Sequence, residues 1–167
     1  MNSEIDKIVS RLGLVSHPEG GYYKETYRSS QIIGANCLDG FSGDRNYCTS
    51  IYFLLTSDNF SAFHRIKQDE IWHFYQGSPL YVHVIYPDGN YVRHQVGMNL
   101  DGGQEPQLTV PAGCWFASSV KNKNDYSFVG CTVAPGFDFE DFELATYSDL
   151  SEIYPQHRDL IKSLTRI

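Results

Sequence analysis

From Thr49 to Phe137 the chain breaks into eight short segments in which apolar and polar residues alternate, separated by turn signals: TSIYFLL, FSAFHRI, EIWHFYQG, LYVHVIY, YVRHQVG, PQLTVPAG, WFASSV and YSFVGCTVAPGF. A period of two places one face of each segment in a core and the other outside. The clearest hairpin turn is PDGN at 87–90, and LDGG at 100–103 marks another loop. Short strands at this regular spacing predict an antiparallel sandwich or barrel of jelly-roll type, an arrangement that leaves few exposed edges.

Helices are predicted only at the two ends. Ile5, Ile8, Val9 and Leu12 share one helical face that stops at Gly13. Leu150 and Ile153, then Leu160, Ile161 and Leu164, give apolar stripes to two segments near the C-terminus. Residues 31–46, QIIGANCLDGFSGDRN, are polar and glycine-rich and read as a long loop, part of a lid or of an interface. No repeat or linker divides the 167 residues, so one domain, 1–167, is expected.

A 41% apolar share excludes a disordered chain, and a net charge of −7 without any run of Lys or Arg excludes the basic face that nucleic acids and anionic membranes require. The N-terminus, MNSEIDKIVSRLG, has no apolar h-region, and no apolar run approaches a membrane span. A soluble, cytoplasmic protein is expected. The four cysteines, Cys37, Cys48, Cys114 and Cys131, form no C-x-x-C pair and read as reduced, structural thiols, with Cys131 a small hydrophobe in a strand.

The chemistry concentrates in SAFHRIKQDEIWHFYQG, residues 61–77. His64, Ile66, Glu70 and Gly77 follow the spacing His-x-His-x(3,4)-Glu-x(6)-Gly, with Ile66 where a second histidine would stand. Pro111, Gly113 and Phe116 follow Pro-x-Gly-x-x-His, with Phe116 in the histidine position. These are the two motifs of the cupins. Together with HPEGGYYKETYRS (17–29), TSIYFLL (49–55), PAGCWFA (111–117) and VGCTVAPGFDFEDFELA (129–145), the chain resembles the cupin-five subfamily of unknown-function domains. The resemblance implies an all-β fold, a double-stranded β-helix or jelly-roll barrel, with a short N-terminal helix and C-terminal helical segments. It also implies a homodimer, and a shape similar to the sugar-nucleotide epimerases of rhamnose biosynthesis.

A catalytic zinc or iron site needs about three protein ligands. His64 and Glu70 keep their motif positions, whereas Ile66 and Phe116 cannot coordinate a metal, so no metal ligand and no cofactor is assigned. His73 faces away from Glu70 and Trp72 on the same strand and would join a pocket only across a bulge. His17 precedes a turn, and no other histidine has a matching spacing.

A metal-free pocket would set burial against ion pairing at His64 and Glu70 and could hold a proton-transferring group near neutral pH. In that reading His64 is the general base and Glu70 orients it. The resembling epimerases back their histidine with an acidic residue and use a tyrosine as acid, and neither has a matched position in this chain.

Other candidates each have two readings. In GGYYKETYRS, strand alternation puts Lys24, Thr26 and Arg28 on one face and Tyr23, Glu25 and Tyr27 on the other. Arg28 could fork a carboxylate or phosphate of a ligand, or pair with Glu25 at the surface. Tyr52 and Trp72 pack over a ring-shaped ligand or belong to the core. Glu143 turns inward to the pocket or is solvated with its acidic neighbours, and Phe137, Phe139 and Phe142 read as core packing.

The function expected is binding of a small polar or sugar-like molecule, with metal-independent isomerase or epimerase chemistry at His64. A non-catalytic ligand-binding module and a metal-dependent cupin oxygenase are the contrasting readings.

Overall fold

The computed structural model describes residues 3–166. In chain order the elements are helix α1 (Ser3–Leu12), β1 (Val15–Ser16), β2 (Tyr22–Arg28), β3 (Ile32–Ile33), β4 (Arg45–Asn46), β5 (Thr49–Thr56), β6 (Phe60–Arg65) and β7 (Asp69–Gly77). There follow β8 (Leu80–Ile85), β9 (Tyr91–Val96), β10 (Gln107–Val110), β11 (Trp115–Val120), β12 (Tyr126–Ala134), β13 (Glu143–Leu144), α2 (Tyr147–Ile153) and α3 (Arg158–Ser163). All eight segments picked out by alternation are strands.

Two antiparallel sheets form the barrel, one ordered β1-β2-β5-β12-β7-β10 and the other β13-β6-β11-β8-β9. The alternation decides what lies between them. Phe53 and Leu55 of β5, Trp72 of β7, Val82 and Val84 of β8, Phe116 of β11 and Val129, Cys131 and Val133 of β12 form the inner core. Their neighbours face outward, and part of each outer face is covered by the terminal helices. Helix α1 lays Ile5, Ile8, Val9 and Leu12 over Leu54 and Tyr126 on the back of the larger sheet. Leu150, Ile161 and Leu164 cover Phe63, Ile85 and Trp115 on the back of the smaller one. Each fully buried side chain of this size contributes roughly 1.5–3 kcal/mol.

Residues 31–46 are more ordered than their composition predicts. Strands β3 and β4 pair within them, and Arg45 is buried against Asp141. Its Nε and Nη2 donate to the Asp141 carboxylate at 2.7 and 2.8 Å, and Gln68 Nε2 donates to the same group at 2.7 Å. Lys67 Nζ donates to the Gly40 carbonyl at 2.8 Å. The segment is thereby anchored to the 3-10 turn at Phe139–Asp141. Among the described residues no helix is long and apolar enough to cross a membrane.

Candidate functional site

The inner core does not fill the barrel. At the end where β5, β7 and β12 carry Thr49, Glu70 and Val133, a cavity of about 290 Å³ remains. Its wall includes His64, Ile66, Glu70 and Cys131 from the barrel strands, and Phe137, Asp138, Phe139 and Phe142 from the segment after β12. It also includes His17, Glu19, Tyr23, Glu25 and Arg28 from the N-terminal region.

His17 and Glu19 are the residues that sequence reasoning missed. HPEGG is indeed a turn, with Gly20 N–H donating to the His17 carbonyl at 3.0 Å, but this turn is pressed against the start of β6. Gly20 has φ +116°, and a Cβ there would collide with the Phe60 carbonyl oxygen and the Arg166 guanidinium. A residue without a side chain is required for that approach. The Glu19 carbonyl accepts the Ala62 N–H at 2.8 Å, which directs the Glu19 side chain into the cavity toward His64. The signal in the sequence was the acidic residue immediately before two glycines.

His64 has both ring nitrogens engaged by oxygen acceptors. Nδ1 donates to the Ala62 carbonyl at 2.7 Å, and Nε2 lies 3.0 Å from Glu19 Oε2. Burial pushes the His64 pKa down, but the Glu19 carboxylate outweighs it, by charge and by hydrogen bond, and holds the imidazole above its ordinary value. Burial likewise raises Glu19, while His64 and then His17 pull it down, and the net shift is downward. The pair is an imidazolium and a carboxylate. The partner of His64 is therefore Glu19, not Glu70.

His17 behaves in the opposite way. Its Nδ1 accepts the Glu19 backbone N–H at 3.3 Å, which leaves the ring proton of the neutral form on Nε2. Burial lowers its pKa, against the pull of Glu19 and with the help of the His64 charge.

Glu70 is buried on the same wall, and burial pushes its pKa up to about 7, helped by the Glu19 charge and opposed by His64 and by the Cys131 thiol. Cys131 itself is raised well above the ordinary thiol value by burial and then by Glu70, so it stays a thiol, not a thiolate.

The remaining sequence candidates separate into mouth, core and outer surface. Glu25 and Arg28 both line the cavity, although simple alternation put them on opposite faces. A β-bulge between Glu25 and Tyr27 takes up Thr26 as the extra residue and turns Arg28 to the side of Tyr23 and Glu25. Arg28 donates from Nε and Nη2 to the Glu25 carboxylate at 2.9 and 2.7 Å.

Trp72 is in the inner core, edge-on to Phe53 and Phe116, and does not line the cavity. Phe116, in the position of the motif histidine, packs its ring 4.1 Å from that of His64. Tyr52 lies on the outer face with Phe128 and Tyr75. His73 also points outward, its Nε2 3.0 Å from the Thr132 hydroxyl, because the bulge in β7 comes after it, opposite Phe128 and Val129. Glu143 is exposed and accepts from Arg65 Nε at 2.7 Å, so it belongs to the surface. Phe137 and Phe142 pack against the inner core as expected and also wall the cavity, whereas Phe139, expected as core too, lines the cavity with about half its surface exposed.

A cupin metal centre would need three or more donors around one point. Ile66 and Phe116 provide none, and neither nitrogen of His64 has a free lone pair while Glu19 and Ala62 hold its two protons. Among the described residues no group of three or more His, Cys, Asp or Glu is arranged to hold a metal ion. The donor set does not fit the group that the cupin motifs would imply.

Comparison with known proteins agrees with the geometry of the barrel. The profile of the Cupin_5 family, described as Cupin superfamily (DUF985), matches residues 6–145. The Saccharomyces cerevisiae protein YML079W, described as uncharacterized, is 34% identical over 149 residues, covering 83% of this chain and 74% of the yeast protein. Protein SO0799 from Shewanella oneidensis superposes with a TM-score of 0.87 at 39% identity, over 96% of each chain. A hypothetical protein from Leishmania major superposes with a TM-score of 0.89, also at 39% identity, over 97% of this chain and 98% of its own. Oxalate decarboxylase from Bacillus subtilis, at 13% identity and a TM-score of 0.55, shares the fold over 89% of this chain and 36% of its own length.

Proposed function

The chain belongs to the Cupin_5 family of the cupin superfamily, and on that premise we propose that its cavity binds a small polar, sugar-like molecule and moves a proton on it. The observation that supports this reading is Glu70: a carboxyl buried in the cavity wall, beside a thiol and outside any ion pair among the described residues, titrating at about 7. A proton carrier works best when its pKa is near the operating pH.

The roles differ from those that the motif spacing suggests. An imidazole holding protons on both nitrogens cannot act as a base, so His64 serves as a fixed positive charge kept in place by Glu19. Glu70 takes the part of the base. As carboxylate it removes a proton from a carbon next to a carbonyl, and the electron pair moves onto the carbonyl oxygen. The His64 charge and the Nε2–H of His17 stabilise that oxygen in a site shielded from water. The proton returns from the Glu70 carboxylic acid to the former carbonyl carbon on the same face, while the proton of the neighbouring hydroxyl passes to the former carbonyl oxygen, which gives aldose–ketose isomerisation with no cofactor.

The test is deuterium incorporation at carbon in D2O, followed by NMR on a panel of aldoses and ketoses. Wild-type protein is expected to exchange the proton next to the carbonyl. Glu70→Gln is expected to lose about 10²–10⁴-fold of that rate while still binding the sugar. Exchange that survives intact in Glu70→Gln would remove Glu70 from the chemistry. Binding without exchange in the wild type would make the cavity a non-catalytic module.

A further inference from the structure

The mouth of the cavity is aromatic and its wall is acidic. Phe137, Phe139 and Phe142 meet edge-to-face, with ring centroids 5.0, 5.9 and 6.4 Å apart. Phe139 is 51% exposed, so part of its ring is open to an incoming molecule. Asp138 lies beside them on the same wall. One of its oxygens, Oδ1, accepts the Glu140 N–H at 2.9 Å.

Among the described residues the wall holds one lysine or arginine, Arg28, and it is already committed. Besides its two bonds to Glu25, Arg28 donates from Nη1 to Asn46 Oδ1 at 2.8 Å and from Nη2 to the Phe137 carbonyl at 3.1 Å. An anionic ligand would have to displace an internal carboxylate to reach it. Pairing Glu25 with Arg28 and Glu19 with His64 leaves Asp138 and Glu70 as cavity carboxyls with no ion pair of their own among the described residues. Glu70 is only 8% exposed and borders the empty volume.

We propose that the molecule bound here carries a protonated amine at the end that meets Phe139 and Asp138, and carbonyl or hydroxyl groups at the end that meets Glu70 and His64. The proposal rests on the proton-transfer reading of the same cavity and gives its substrate class, an amino sugar or similar small amino-polyol. A phosphorylated or nucleotide-linked sugar does not match the charge of the wall. Ring faces carry negative charge density and attract an ammonium. The Asp138 carboxylate lies in the field of Arg28 and Arg45 but forms no ion pair with either, so it adds to that attraction, and the net charge of −7 steers cations toward the molecule.

Binding of glucosamine, glucose and glucose 6-phosphate, measured by NMR titration on the full chain, tests this. Glucosamine is expected to bind at least about fivefold more tightly than glucose, and glucose 6-phosphate most weakly. Two variants probe the mouth. Asp138→Asn keeps the oxygen that accepts the Glu140 N–H and removes the charge, and Phe139→Leu removes the ring and keeps an apolar surface. Each is expected to weaken glucosamine by about two- to fivefold and glucose by less, so that the preference for the amine narrows. Glucose or glucose 6-phosphate binding as tightly as glucosamine overturns the amine assignment and leaves the proton-transfer reading standing. Failure of all three to bind at tens of millimolar overturns both.

Discussion

Glu19→Ala is expected to destabilise the protein by about 3–5 kcal/mol, the usual cost of removing one partner from a buried ion pair. The loss has two parts. His64 keeps its place between Phe116 and Phe142, so its buried Nε2 is left without a protein partner. The turn at 17–21 also gives up the side chain that ties it to β6. Glu19→Gln separates the two, since an amide can donate to a neutral Nε2 and restore one hydrogen bond; a smaller loss of about 1–2 kcal/mol is expected.

The pH dependence of the difference between wild type and Glu19→Ala follows from the shifts. Glu19 titrates below its ordinary 4.5, so its contribution is present above 4.5 and disappears as pH falls through the lowered value. His64 titrates above its ordinary 6.5, so its contribution is complete below 6.5 and disappears as pH rises through the raised value. Urea unfolding is expected to show the largest difference between about pH 4.5 and 6.5. A difference that does not change from pH 4 to 9 would deny the pair its charges.

Glu70→Gln is expected to act in the opposite direction and to stabilise the protein. The folded carboxyl titrates at about 7 against an ordinary 4.5, so over that window the folded chain holds more proton than the unfolded one, and stability falls as pH rises. At ~1.4 kcal/mol per pH unit, the full shift amounts to about 3 kcal/mol above pH 7. Glutamine has nothing to ionise and escapes that cost. Thermal unfolding is expected to place Glu70→Gln well above wild type at pH 8 and close to it at pH 4.5. A variant less stable than wild type at pH 8 would mean that the ionised carboxylate is held by partners, not strained by burial. Stabilisation together with lost proton exchange would mark Glu70 as a residue kept for function at the expense of stability.

The barrel strands were legible because alternation and turn chemistry are local properties. His64 and Glu70 were legible because the cupin motifs fix their spacing, and the same spacing identified Ile66 and Phe116 as hydrocarbon in ligand positions. What the sequence could not show is set by docking between segments distant in the chain. Glu19 reaches His64 only because β2 pairs with β5 and the turn before β2 is pressed onto β6, and no periodicity within HPEGG records that approach. Arg28 was assigned to the wrong face because one bulge at Thr26 reverses the alternation that the assignment assumed. Glu143 had two readings until Arg65 of β6, its register partner, came to lie beside it. Phe137, Phe139 and Phe142 have the composition of a core, and whether they pack against protein or against a cavity depends on how much of the barrel the inner strands fill.

The proposed chemistry depends on the charge state of one imidazole, which can be observed directly. With ¹⁵N-histidine labelling, long-range ¹H–¹⁵N correlation spectra resolve the two ring nitrogens of each histidine, and His64→Gln assigns the signal by its disappearance. At pH 7 the His64 nitrogens are expected at two similar, protonated shifts, persisting to a higher pH than those of an exposed histidine. One protonated and one unprotonated nitrogen at pH 7 would show a neutral ring, return His64 to the list of possible bases and contradict the assignment of that part to Glu70.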